Sequence, residues 1–260
     1  MPSTTSQTTM SLSKPTILLI PGAWHRGSTF EPVAALLRTQ GYPVETLTLL
    51  SVGGPASTTV ADDAAHIQKR YLDDLISQGK EVVVVMHSYG GIPGTESVKG
   101  HTRRDIAAQG RKGGVVALVY MAAFLISAGQ SVDSSLPDGA ASIMTFEGEK
   151  SYCIDPIPKF YNDLDEDTAK KYATELVYHA KPSFFTSLNY EAYRDVPTTY
   201  LFCEKDACFP LAVQQAMAAM PGDGLVRTRT CAGSHSAMLS IPRAVADVVQ
   251  SAASDVEVVN

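Results

Sequence analysis

Apolar runs that stop abruptly at glycine or proline recur along this chain. Thr16–Ile20 (TILLI) is a short β-branched run closed by Pro21-Gly22, which predicts a buried strand. Glu81–His87 holds four consecutive valines and then breaks into Ser-Tyr-Gly-Gly. Val44–Leu49, Val115–Ala122, Thr199–Cys203 and Leu225–Cys231 predict four more strands. Between them the period changes to that of a helix. Phe30, Val33, Ala34 and Leu37 mark one face of Thr29–Thr39, which Gly41 ends. Ile67, Tyr71 and Leu75 mark the apolar face of Thr58–Ser77, with Thr58 or Thr59 placed to cap it. Gly90–Val98, Pro210–Met220 and Ser236–Ala253 predict further helices, and the polar, Gly-rich stretch Lys99–Gly114 a surface loop or frayed helix end.

Strands alternating with helices imply parallel strands joined by right-handed crossovers, hence a three-layer α/β domain with helices on both faces of a mostly parallel sheet. Residues 126–195 break the rhythm. They hold Phe146, Tyr152, Phe160, Tyr161, Phe184, Phe185 and Tyr190, and the helix-like Asp165–His179, before the chain returns to a strand after Pro197. This predicts a core of residues 15–125 and 196–260, with 126–195 inserted as a lid over the carboxyl edge of the sheet. Residues 1–14, polar and without an apolar centre, read as a disordered tail and not as a secretory or transit signal.

Composition narrows the partners. The chain is 260 residues long, 45% hydrophobic, with net charge -6 and no basic stripe, which speaks against nucleic acid. No apolar run reaches the roughly 18 residues of a membrane span. The four cysteines (Cys153, Cys203, Cys208, Cys231) lack C-x-x-C spacing. They read as reduced thiols, Cys203 and Cys208 as small core residues, so neither a metal site nor a cofactor is expected and the cytoplasm is the expected location. A small-molecule substrate is the expected partner, and the sequence is silent on oligomeric state.

Candidate chemistry lies at the strand ends, because ligands of open parallel sheets bind beyond the carboxyl ends of the strands. The first strand ends in PGAWH, the third in HSYGG, the fifth in CEKDACFP and the sixth in CAGSHS. A serine hydroxyl becomes a nucleophile only beside a base whose tautomer an acid holds. Ser88, His235 and Asp206 are the candidates for those roles, with Glu204 the alternative acid. A tetrahedral oxyanion needs preorganised N–H donors, and the backbone N–H groups of Ala23 and Tyr89 are placed to supply them. Gly22 keeps the first turn open and, with Trp24 and His25, is a candidate substrate contact; the alternative for His25 is packing beside Trp24. His87 points away from the serine by strand alternation. Tyr161 and Asn162 either face the pocket or pack.

With PGAWH (21–25), HSYGG (87–91), EKDACFP (204–210) and GSHSAMLSIP (233–242), the sequence resembles the α/β-hydrolase superfamily. It is most similar to the small branch of plant methyl-ester esterases, hydroxynitrile lyases and bacterial and fungal hydrolases of like size. The order Ser…Asp…His is that of the superfamily. The resemblance implies Ser88 as nucleophile, Asp206 as acid, His235 as base, and Ala23 and Tyr89 as oxyanion donors. Pro21 stands where many relatives have the histidine of an HG pair, and Met86 where the elbow glycine is usual. Ser236 replaces the lysine that hydroxynitrile lyases carry after the histidine, which argues against cyanohydrin cleavage. Hydrolysis of an ester, lactone or thioester is the leading expectation. Lyase or cyclase chemistry on the same triad, and a non-catalytic ligand receptor, are the alternatives.

Overall fold

The computed structural model describes residues 14–136 and 143–257, so the expected tail falls, but for Lys14, outside the described residues. The strands in chain order are β1 (Thr16–Ile20), β2 (Val44–Thr46), β3 (Glu81–His87), β4 (Gly114–Met121), β5 (Met144–Glu147), β6 (Lys150–Cys153), β7 (His179–Ala180), β8 (Thr198–Cys203) and β9 (Val226–Cys231). Six of them form one sheet in the order β2-β1-β3-β4-β8-β9, and every pairing in it is parallel. β3 sits near the middle, with Val85 opposite Leu19 on one side and Val119 on the other.

Alternation along β3 divides the core. Val82, Val84 and Met86 pack with the helical stretch 60–77 and helices Gly91–Ser97 and Leu211–Ala219. Val83 and Val85 pack with helices Glu31–Thr39 and Pro242–Glu257 on the opposite face. Because both faces are covered, β3 can be apolar from Val82 to Met86 without alternation. The three-layer α/β reading therefore describes the molecule.

Several elements differ from expectation, each for a local reason. β2 ends at Thr46, three residues early. The stretch read as a loop contains a helix, Arg103–Ala108, whose start is a capping box: Thr102 and Asp105 each take the other's backbone N–H. The T-x-x-D spacing was its signal. The helix expected over 236–253 is broken into Ala237–Ser240 and Pro242–Glu257, because the residue before a proline is pushed out of helical geometry and Ile241 sits at φ −135°, ψ 55°. The long helix is capped by Thr59 with Asp62, and runs to Ser77 through one wide π turn at Gln68–Leu72.

Between β4 and β8 the chain builds a small antiparallel sheet, β5-β6-β7. Helix Glu166–Thr174, capped by Asp165, ends before the expected His179, which instead enters β7. This segment is stitched to the loop after β2: Ala180 N donates to Ser51 O at 2.7 Å and Gly53 N to Tyr178 O at 2.9 Å.

Candidate active site

β3 carries Ser88 out of the sheet and into a tight turn. Ser88 has φ +52°, a left-handed conformation that costs a non-glycine residue about 1–2 kcal/mol. Its neighbours leave no room for relaxation. A Cβ on Gly90 would lie 2.5 Å from Pro21 O, and one on Gly22 would lie 2.7 Å from Ser88 Cβ. A Cβ on Gly91 would run into Phe124 O. Ser88 O is fixed by Phe124 N at 3.1 Å. The turn continues as one 3-10 turn, Ser88–Gly90, into helix Gly91–Ser97, so the expected helix start at Gly90 falls one residue early.

Met86 fits because the missing glycine is supplied from the helix. A Cβ on Gly94 would come within 2.6 Å of Met86 Cγ and Sδ. The thioether thus fills the space that Gly94 leaves, and Thr95 Oγ1 points at Met86 Sδ from 3.9 Å.

The acid and base come from the ends of β8 and β9. His235 Nδ1 lies 2.7 Å from Asp206 Oδ2, with both side chains almost completely buried. An ionised carboxylate only accepts, so the hydrogen sits on Nδ1 and leaves the Nε2 lone pair available. Asp206 is itself held: Oδ1 accepts from Cys208 N at 2.8 Å and Phe209 N at 2.7 Å. Glu204, the alternative acid, is exposed. Behind His235, His87 Nε2 donates to His235 O at 2.9 Å and the two rings lie 4.6 Å apart. Burial, then the adjacent His235 and His25, holds His87 well below the usual histidine range. His87 therefore faces the base loop as a neutral support.

Ser88, His235, Ala23, Tyr89 and Trp24 all line one cavity, of about 520 Å³ counting its open mouth. Phe124, Phe160, Phe184 and Phe209 add aromatic wall, and Val132, Leu136, Ile143 and Met144 add aliphatic wall. Phe160 and Phe184 belong to the segment between β4 and β8, and no spacing in the sequence singled them out. Cys208, expected in the core, is half-buried and lines the cavity, whereas Cys203 is buried beside Cys231. Of the expected substrate contacts, Gly22 abuts Ser88 and Trp24 reaches the cavity. His25 is not among the cavity's lining residues. Its Nδ1 donates to Ala23 O at 2.7 Å, its Nε2 accepts from Tyr161 OH at 2.9 Å, and burial holds its pKa down to about 4. Tyr161 and Asn162 do not line the cavity either.

A buried polar tether that the sequence did not announce lies behind the turn. Tyr89 OH donates to Asp63 Oδ2 at 3.1 Å, and the same carboxylate accepts from Ser51 N at 2.9 Å and Ser51 Oγ at 2.6 Å. Burial pushes the Asp63 pKa up to about 6 against the pull of those donors.

Residues 17–248 match the alpha/beta hydrolase family. A probable hydrolase, R7, from Phoma sp. is 34% identical over 203 residues, which is 75% of this chain and 79% of that protein. Alpha/beta hydrolase nvfD of Aspergillus novofumigatus is 29% identical over 248 residues, 93% of this chain and 98% of its own. The crystal structure of a pyrethroid hydrolase from Sphingobium faniae superimposes with a TM-score of 0.72 at 21% identity, covering 92% of this chain and 97% of that one. With a strand-to-helix serine, a strand-end Asp–His pair and a family match spanning most of its length, the chain belongs to the alpha/beta hydrolase family.

Proposed function

We propose that this protein is a serine hydrolase that cleaves a carboxylic ester, lactone or thioester of a small organic molecule through an acyl-serine intermediate. The observation that carries the reading is the buried 2.7 Å bond from His235 Nδ1 to Asp206, which leaves Nε2 as a base in the cavity that holds Ser88. Ser88 Oγ attacks the carbonyl carbon as His235 Nε2 takes its proton. Asp206 holds the tautomer and stabilises the imidazolium. The N–H groups of Ala23 and Tyr89 receive the developing oxyanion. His235 then protonates the leaving group, and in the second half it takes a proton from the water that releases the acid. The apolar wall supports an uncharged acyl or aromatic substrate, with residues 126–195 acting as the lid that excludes bulk water. We also assign the enzyme to the cytosol, a reading supported by four unbridged thiols. Among the described residues no helix is long and apolar enough to cross a membrane.

The test is hydrolysis of p-nitrophenyl butyrate together with fluorophosphonate labelling. Wild type turns over and is labelled at Ser88. Ser88→Ala loses both, with kcat falling about a million-fold, to the floor of the assay. One atom of labelled oxygen from water enters the released acid. A labelled, active Ser88→Ala variant, or product without water oxygen, rejects the mechanism.

A further inference from the structure

Phe160, Tyr161, Asn162 and Asp163 follow one another in the segment between β4 and β8, outside the six-stranded sheet. Phe160 O accepts from Ser236 N at 3.2 Å and from Ser234 Oγ at 3.3 Å, while its ring stacks on His235 at 5.3 Å. Tyr161 OH donates to His25, whose other nitrogen holds Ala23 O. Asn162 Nδ2 donates to Lys205 O at 3.0 Å, one residue before Asp206. Asp163 Oδ2 accepts from Ser234 N at 2.8 Å, one residue before His235. The base loop, the oxyanion turn and the acid loop are thus each fastened to one tetrapeptide.

β8 ends at Cys203 and β9 at Cys231, so the ladder that holds the strands stops before either Asp206 or His235 is reached. Beyond the ladder the two loops are tied to each other through Glu204 N to Cys231 O and Lys205 N to Gly233 O. Those bonds fix the loops relative to one another, and His87 Nε2 ties His235 O to the end of β3, but none of them reaches the oxyanion turn. We propose that Phe160–Asp163 is a positioning segment that sets the geometry of Asp206, His235 and the Ala23 turn by bonding each of their loops. The role goes beyond filling space. Asn162 is exposed, so its bond to Lys205 is not demanded by burial. Ala23 O can only accept, so it fixes the His25 tautomer with hydrogen on Nδ1; Tyr161 OH donates to the Nε2 left bare and holds the ring that braces the turn at Trp24, which sits at φ +62°. Phe160 also lines the cavity, so what the pocket holds bears on the residues that align the site.

This inference rests on the serine-hydrolase reading, and its test separates the two. The variants are Asn162→Ala, Asp163→Ala, Tyr161→Phe and the conservative Asp163→Asn. The readouts are kcat and KM on p-nitrophenyl butyrate, Tm, and the low-field proton NMR line of His235 Nδ1–H, identified by its loss in His235→Ala. Asn162→Ala and Asp163→Ala lower kcat about tenfold to 100-fold, the scale of a sub-ångström to ångström misplacement, with KM nearly unchanged. Both shift or broaden the His235 line. Tyr161→Phe lowers kcat without moving that line, because it acts on the oxyanion turn. Asp163→Asn keeps an oxygen for Ser234 N–H and restores rate and line together. If Asp163→Ala does not fold, Asn162→Ala carries the same test from an exposed position. An unmoved His235 line in Asn162→Ala and Asp163→Ala overturns the proposal. The line is read without substrate, so a shift in a protein that hydrolyses no ester supports the positioning role while rejecting the hydrolase reading.

Discussion

The two halves of the site are held by opposite kinds of force. On the serine side, geometry comes from excluded volume. Gly22, Gly90 and Gly91 stand where any Cβ would strike backbone or Ser88 itself, and Met86 fills the gap above Gly94. On the base side it comes from hydrogen bonds between distant parts of the chain: His235 to Asp206, His87 to His235, and Asp163 to Ser234. Close packing tolerates little change in volume, and a bond network tolerates little change in donors and acceptors. The serine can therefore sit at a strained φ of +52° without relaxing, while the histidine keeps its orientation through directed bonds.

The largest break is on the bonded side. Asp206→Asn keeps the shape but presents an amide where His235 needs an acceptor for Nδ1–H. We expect kcat for p-nitrophenyl butyrate to fall about 10⁴-fold, with Tm changed far less than the rate. A modest loss of rate would mean that the pair does not set the tautomer.

The packed side responds in stability instead. Met86→Gly removes a fully buried side chain and should cost about 2–5 kcal/mol, read as a lowered denaturant midpoint, while Ser88 is still labelled by fluorophosphonate. Loss of labelling in a folded variant would show that Met86 aligns the turn as well as filling it.

Asp63 tests whether the packed side contains a polar exception. Its folded pKa, raised to about 6, lies above the ordinary carboxylate value of 3.8. A raised pKa means that the folded state holds the proton more tightly. The group's contribution is then fully present below pH 3.8 and is lost as pH rises through about 6. Wild type should lose on the order of 3 kcal/mol across that window from this group, and Asp63→Asn should flatten that part of the stability–pH curve. Equal slopes for the two proteins between pH 4 and 6.5 would show that Asp63 does not titrate there.

The smallest effect is a change of sign. Gly94→Ala should destabilise wild type by about 1 kcal/mol, the low end of overpacking because methionine is flexible. In the Met86→Gly background the overlap with Met86 is gone, the remaining neighbour, Ile20 Cδ1 at 3.1 Å, can turn into the space the thioether leaves, and alanine's helix preference, about 1 kcal/mol, should make the same change stabilising. Urea midpoints of the four proteins in the cycle decide it.

The same contrast explains what could be read in advance. β1 and β3 match the expected bounds, and β8 and β9 differ by a single residue, because each is an apolar run with a turn signal beside it. That Ser88, Asp206 and His235 lie near one another was legible because a parallel sheet gathers its strand ends at one edge. β5, β6 and β7 are four, four and two residues long, too short for a period of two to show. Asp63 reads as one more polar residue on an amphipathic helix, and only the loop after β2 folding over that helix turns it into a buried acceptor.

The sequence by itself determined the sheet, the order of its strand-end residues and the need for glycine after Ser88, because these follow from local periodicity and backbone sterics. Only the tertiary structure decided why Met86 is tolerated, which way His25 turns, what His87 bonds, and how Phe160–Asp163 reaches three loops. Those are contacts between residues up to 148 positions apart, and no pattern within one segment encodes the partner that another segment will bring.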